Sequence, residues 1–119
     1  MASSAKFKAF IEDQLSDIRD LLIKRMFGGF GFYAGETFFA IIAYDRFYLW
    51  MGEDDPRAAG LAPFSPKGTY SMGRYLEVPA EVLEDRDQLL AWARQSISSR
   101  RELDLESRKT KKSRRDSRR

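Results

Sequence analysis

A chain of 119 residues with 43% hydrophobic and 33% charged side chains has the apolar surface for one packed core and too little length for two. It contains no histidine and no cysteine, which excludes disulfides, thiol nucleophiles, thiolate metal sites and imidazole acid/base chemistry. The net charge of +3 is divided: residues 100–119 carry ten Lys/Arg against Glu102, Asp104, Glu106 and Asp116, a net +6, which leaves residues 1–99 at −3, so a nucleic-acid argument from overall basicity fails for the body.

In chain order, Phe7, Phe10, Ile11, Leu15, Ile18, Leu21 and Leu22 recur at three- and four-residue steps and predict an amphipathic helix from Ser4 to Arg25. Ser3 or Ser4 is its expected cap, and it ends before Gly28-Gly29. Aromatic, β-rich runs follow: Met26 to Tyr33, Glu36 to Ala43 and Phe47 to Met51. Their connections are short, which predicts an antiparallel meander because parallel pairing needs long crossovers. Gly35 is the residue expected to supply positive φ in the first turn. Phe38-Phe39-Ala40-Ile41-Ile42-Ala43 has no polar face, so both its sides must be covered, and something besides the chain's own helices is expected to lie on the sheet.

Asp55-Pro56-Arg57-Ala58-Ala59-Gly60 reads as a short capped helical turn. Phe64 to Pro66 and Thr69 to Val78 read as two further strands around Lys67-Gly68, closed by Pro79. Asp85 and Gln88 form a capping box for a last helix whose buried stripe is Leu89, Leu90, Ala93 and Ile97, with Trp92 at its flank. The folded domain is thus expected over residues 1–99. In residues 100–119 only Leu103 and Leu105 are large and apolar, so a basic tail, disordered from about Glu106, is expected.

The letters Gly29-Phe30-Gly31-Phe32-Tyr33-Ala34 fit a dinucleotide fingerprint, but that device needs a helix after the turn and here a strand follows. Gly29-Phe30-Gly31-Phe32 also reproduces the middle of an RNA-recognition signature, while Gly28, Tyr33 and Gly35 stand where it requires a cation, a valine and an aromatic. The structural alternative sets Phe30 and Phe32 on one face of a strand and Gly29, Gly31 and Tyr33 on the other, leaving a shallow groove for close approach. The acidic pairs Asp54-Asp55 and Glu84-Asp85 sit at helix starts and read as caps. Lys109, Lys111, Lys112, Arg114, Arg115, Arg118 and Arg119 form the one strong charge run, able to engage phosphates without reading bases.

The run Lys24-Arg25-Met26-Phe27-Gly28-Gly29-Phe30-Gly31-Phe32-Tyr33 resembles the N-terminal domain of the TfoX/Sxy family of bacterial competence regulators, whose members carry R-M-F-G-G-x-G-x-Y here. The likeness continues through Phe38–Ala43, Phe47-Tyr48-Leu49, Gly60 to Phe64, Tyr75 to Pro79 and Leu89 to Arg94, and covers about residues 5–98. It implies a two-layer α+β domain with an antiparallel five-stranded sheet, helices on one face and the order α-β-β-β-α-β-β-α, similar to type III secretion chaperones. The larger members have a second domain and act with the cyclic-AMP receptor protein; this chain resembles a single-domain member. The resemblance carries over no catalytic residue, no cofactor and no metal. It marks Arg25, Met26, Phe27, Gly28, Gly29, Gly31 and Tyr33 as fold or partner-surface positions.

Taken together, these readings lead to an expectation of a cytoplasmic, non-enzymatic protein-interaction module, an accessory regulator of transcription or competence. Its expected partners are another protein, such as a transcription regulator, and a second copy as a homodimer, with no membrane. The alternative is a nucleic-acid-associated protein whose basic tail binds phosphates. An enzyme would have to rely on Asp, Glu, Lys, Arg, Ser and Tyr alone.

Overall fold

The computed structural model describes residues 5–26, 28–64 and 72–117, the last ten by their backbone. Helix α1 (Ala5–Gln14) precedes strands β1 (Leu21–Met26), β2 (Gly29–Ala34), β3 (Thr37–Ala43) and β4 (Arg46–Trp50). A 3-10 turn at Pro56–Ala58, strands β5 (Pro63–Phe64) and β6 (Met72–Glu77), and helices α2 (Ala80–Glu84) and α3 (Arg86–Ser117) complete the order. The strands form one antiparallel sheet in the order β1-β2-β3-β4-β6-β5.

The α+β class and the antiparallel sheet agree with the expectation, but the sheet has six strands rather than five. The extra strand comes from the first helix, which ends at Gln14 instead of Arg25. Leu15 and Ile18 stay buried in the turns that follow, and Asp20 then takes a left-handed conformation at φ 58°. Aspartate tolerates that region better than most residues, and the turn there leads the chain into β1. From there Leu21–Met26 pairs residue by residue with Gly29–Ala34, with Leu22 turned out to solvent at 47% exposure. The residues predicted around the β5–β6 connection, 65–71, and the Ser3 or Ser4 cap lie outside the described residues.

Three tight turns organise the meander. Gly28 turns at φ 74° between β1 and β2, and Gly35 at φ 61° between β2 and β3, as expected for the latter. The β3–β4 turn uses Tyr44 and Asp45, both at positive φ (53° and 57°), a primed-turn geometry held without glycine. The β2–β3 register shifts between Phe32 and Tyr33, whose partners are Ala40 and Phe38, so Phe39 is the extra residue of a bulge. That bulge puts Phe39 and Ala40 into the same core cluster and turns Phe38 to the opposite face.

The sheet is buried on both faces. On one, Phe32, Phe39, Ala40, Ile42, Phe47, Leu49 and Leu76 pack with Ile11 of α1, Val82 of α2, and Leu89, Leu90, Ala93 and Ile97 of α3. Phe32 and Phe47 meet edge to face with ring centroids 5.6 Å apart. Full burial of each such side chain contributes about 1.5–3 kcal/mol, so this cluster is the main source of stability. On the other face Ile41, Ala43, Tyr48, Trp50, Phe64 and Tyr75 form a second cluster, made among the described residues of strand side chains. Phe38–Ala43 is therefore covered on both sides, as its composition required. Ile41 and Ala43, at the centre of that second face, are at most 1% exposed.

Helix α3 begins as predicted: Asp85 Oδ1 accepts from the Gln88 backbone N–H at 3.1 Å. It does not end near Ser99. Its backbone continues to Ser117, so the segment expected to be irregular from about Glu106 is helical. Arg, Lys, Glu and Leu are strong helix formers, and once a capped, packed helix exists each further turn needs no new nucleus.

Candidate functional site

The signature segment spans two strands and the turn that joins them. Gly29 lies so close to β3 that a Cβ there would overlap the carbonyl oxygen of Ile42, and one at Gly31 would come within 2.5 Å of the Met26 thioether. Each glycine thus has a packing reason, and Met26 fills the groove that Gly31 leaves. Tyr33 stacks on Phe38 at 5.1 Å, and Phe38 meets Tyr75 at the same separation, so the aromatic row runs from the second cluster to the sheet margin. Phe30 sits on the face opposite Gly31, with the Lys8 ammonium 5.5 Å and the Arg25 guanidinium 6.0 Å from its ring centroid. Lys24 approaches the Tyr33 ring at 5.0 Å. Lys24 and Arg25 are exposed, and β1 is the terminal strand of the sheet. Phe27 lies outside the described residues.

A second assembly escaped prediction. Asp55 caps the 3-10 turn by accepting from the Arg57 N–H at 2.9 Å, as read from the sequence, but its carboxylate also takes the Arg57 guanidinium at 2.5–3.1 Å. Arg57 further donates to the Trp92 carbonyl at 2.8 Å and to Ser96 Oγ at 3.4 Å, and lies over the Trp92 ring at 5.4 Å. With side chains only 15% and 9% exposed, this is a largely buried pair that fastens the 52–57 loop to α3. The guanidinium holds the Asp55 carboxyl below its usual range, against the upward push of burial. A partner 35 residues away leaves no local signal, and only the combination of an Arg beside a cap and a Trp on a helix flank hinted at it.

Further along α3, Arg101 donates to Thr37 Oγ1 and to the Ala34 carbonyl, both at 3.1 Å, tying the helix to the β2–β3 turn. Arg100 lies over the Trp50 ring at 5.4 Å. Nearby, burial pushes the Tyr75 phenol up to about 12, and its hydroxyl has no hydrogen-bond partner among the described residues. Between α3 and the 52–57 loop runs an open groove of about 730 Å³ that includes Trp50, Asp54, Ser99, Glu102, Leu103 and Glu106.

The backbone of Lys109, Lys111, Lys112, Arg114 and Arg115 is part of α3, whereas Arg118 and Arg119 lie outside the described residues. The structure does not bring the signature and the basic run together: one is on the β1 edge, the other at the far end of α3. Among the described residues no group of three carboxylates is placed to hold a metal ion, and no helix is long and apolar enough to cross a membrane.

A single antiparallel sheet, carrying helices that join its core and a glycine-rich hairpin at its margin, defines a small α+β module. Residues 13–99 match the family model of the TfoX N-terminal domain, and the chain belongs to that family. No curated protein matches the chain.

Proposed function

We propose that the chain is a non-enzymatic interaction module of the competence-regulator type, which holds a second protein along the free edge of β1. The family membership supports the regulatory part of this reading. The observation that carries the docking part is the position of the signature's first residues: Lys24 and Arg25 are exposed on a terminal strand beside Leu22. An edge strand offers main-chain donors and acceptors to an added strand, and two cations there repel basic segments and admit acidic ones. The partner segment is therefore extended and acidic, as a regulatory protein with a negatively charged arm would supply.

The test is complementation of a strain lacking the gene, read as transcript levels of the DNA-uptake genes. The wild-type chain restores them and K24E/R25E does not, although circular dichroism shows the variant folded. Full restoration by K24E/R25E overturns the reading, as does a turnover activity that tracks Arg25. The second reading, phosphate binding by the C-terminal run, is favoured by α3 reaching Ser117, which places six Lys/Arg and one Asp of residues 107–117 on one helix. Deletion of residues 107–119 tests it: DNA affinity and its salt dependence both fall if the run supplies the contacts.

A further inference from the structure

A cavity of about 430 Å³ opens where the turn after α1 meets α3, directly before β1. Its floor is apolar: Ile18, Ala34 and Ile97 are buried there, and Leu105 beside them is 55% exposed. Three arginines surround that floor, Arg19 from the turn and Arg94 and Arg101 from α3. At about 100° per residue, positions 94, 98, 101 and 105 fall within about 60° of one another and form a single face of the helix.

The helix does not neutralise these cations. Arg94 has Leu90, Ala91, Ile97 and Ser98 three and four residues away, none of them acidic. Neither Arg94 nor Arg19 forms an ion pair or hydrogen bond among the described residues. Arg101 donates to two neutral acceptors, Thr37 Oγ1 and the Ala34 carbonyl, while Asp104, its acidic neighbour at that spacing, pairs with Arg100. Two carboxylates also line the cavity, Asp20 and Glu102. Glu102 lies about 80° around the helix from Arg94, on the border with the acidic groove of Asp54 and Glu106. Cations therefore outnumber anions around an apolar floor, and the two unpaired arginines are the groups an anion would meet.

We propose that this cavity anchors an acidic segment of a partner protein: one aliphatic side chain of the segment packs on Ile18, Ile97 and Leu105, and the carboxylates flanking it pair with Arg19 and Arg94. A phosphate or a nucleic-acid backbone would answer the arginines but has nothing apolar for the floor. A cavity of this volume suits a compact group with its flanking backbone rather than a duplex. The choice of a peptide rests on the β1-edge reading given above. Residues 18–20 line the cavity and Leu21 opens β1, so a segment paired along that edge runs on into the cavity.

Amide NMR shifts of the isotope-labelled full chain test it. The probe is a blocked peptide of about ten residues in which Glu alternates with Val and Leu, long enough at about 3.3 Å per residue to cover β1 and reach the cavity. Shifts are expected at Ile18, Asp20, Ala34, Ile97 and Leu105. R19E/R94E weakens binding at least about tenfold with no change in melting temperature, since both side chains are exposed and unpaired among the described residues. L105S weakens it as well, and peptides with Lys in place of Glu, or Ser in place of Val and Leu, leave these amides unmoved. Equal shifts from either control peptide overturn the proposal, as does binding indifferent to R19E/R94E or a short DNA duplex that moves the same amides as strongly. The edge and the anchor separate in the same spectra. Shifts confined to the cavity keep the anchor and remove the edge contact, whereas shifts confined to residues 22–25 overturn the anchor and leave the edge.

Discussion

Replacing Gly29 by alanine tests the close approach of β2 to β3. A Cβ at that position would overlap the Ile42 carbonyl oxygen and come within 3.2 Å of the Ala43 Cα, both backbone atoms with no rotamer to give way. The strands would have to part by more than about 1 Å, enough to break one or two ladder bonds at about 1 kcal/mol each, in addition to an overpacking cost of about 1–2 kcal/mol. The sum is about 3 kcal/mol. With an unfolding entropy of about 2.1 cal/mol/K per residue, that lowers Tm by about 12 °C for a chain of this length. Gly31→Ala is the contrast: its Cβ meets the Met26 thioether, the far end of a flexible side chain, so about 1 kcal/mol and about 4 °C are expected. In a Met26→Ala background the G31A cost shrinks, because the two groups compete for one space. Thermal melting by far-ultraviolet circular dichroism measures all four variants. A G29A protein that melts within about 2 °C of wild type, or a G31A cost as large as that of G29A, would refute the reasoning.

Substitutions at four further positions probe other parts of the fold. Arg57→Ala leaves the buried Asp55 carboxylate uncompensated and should destabilise by about 3 kcal/mol or more in urea unfolding, with Arg57→Lys recovering little because a lysine cannot reproduce the forked contacts to Asp55 and Trp92. The lowered pKa of Asp55 lends stability that is complete above the unfolded value near 3.8 and is lost as pH falls through the folded one, so the acid limb of the stability profile flattens in Asp55→Asn. Tyr75→Phe removes a buried hydroxyl that has no partner among the described residues and should be neutral or stabilising by up to about 1 kcal/mol at pH 7. Since the Tyr75 phenol is raised to about 12, wild type should lose stability as pH climbs from 10.0 towards that value, and unfolding titrations of the variant should lack this loss. Tyr44→Asn suits a primed turn at φ 53° and gives up an exposed ring, so a gain of about 0.5–1 kcal/mol in melting experiments is expected.

The central strands were legible because their signals were local: alternation in Gly29–Ala34, a continuous apolar run in β3, and connections too short for anything but antiparallel pairing. The first strand was not. Leu15, Ile18, Leu21 and Leu22 satisfy a helical stripe as well as they satisfy a turn followed by an alternating strand, and propensity does not separate the two. What decides is pairing of Leu21–Met26 with the hairpin partner beyond Gly28, a contact with no signature in either segment alone. The C-terminal run misled in the opposite way. Its composition cannot build a core, but it extends a helix that Leu89, Ala93 and Ile97 had already anchored. Of the candidate surfaces, the signature was visible as letters, while the Asp55–Arg57–Trp92 fastening and the acidic groove are products of tertiary folding.

The anchoring of α3 at Arg101 also has a mechanical meaning. The sixteen residues from Glu102 to Ser117 extend the helix by about 24 Å past the point where it is bonded to the β2–β3 turn. Such a projection acts as a lever whose fulcrum is a single guanidinium: a tilt of about 10° there sweeps the far tip by about 4 Å. Any event that loosens or tightens the small hinge at Thr37 and Ala34 is thus amplified at the cationic tip, converting a sub-ångström adjustment in the hairpin into a change of reach.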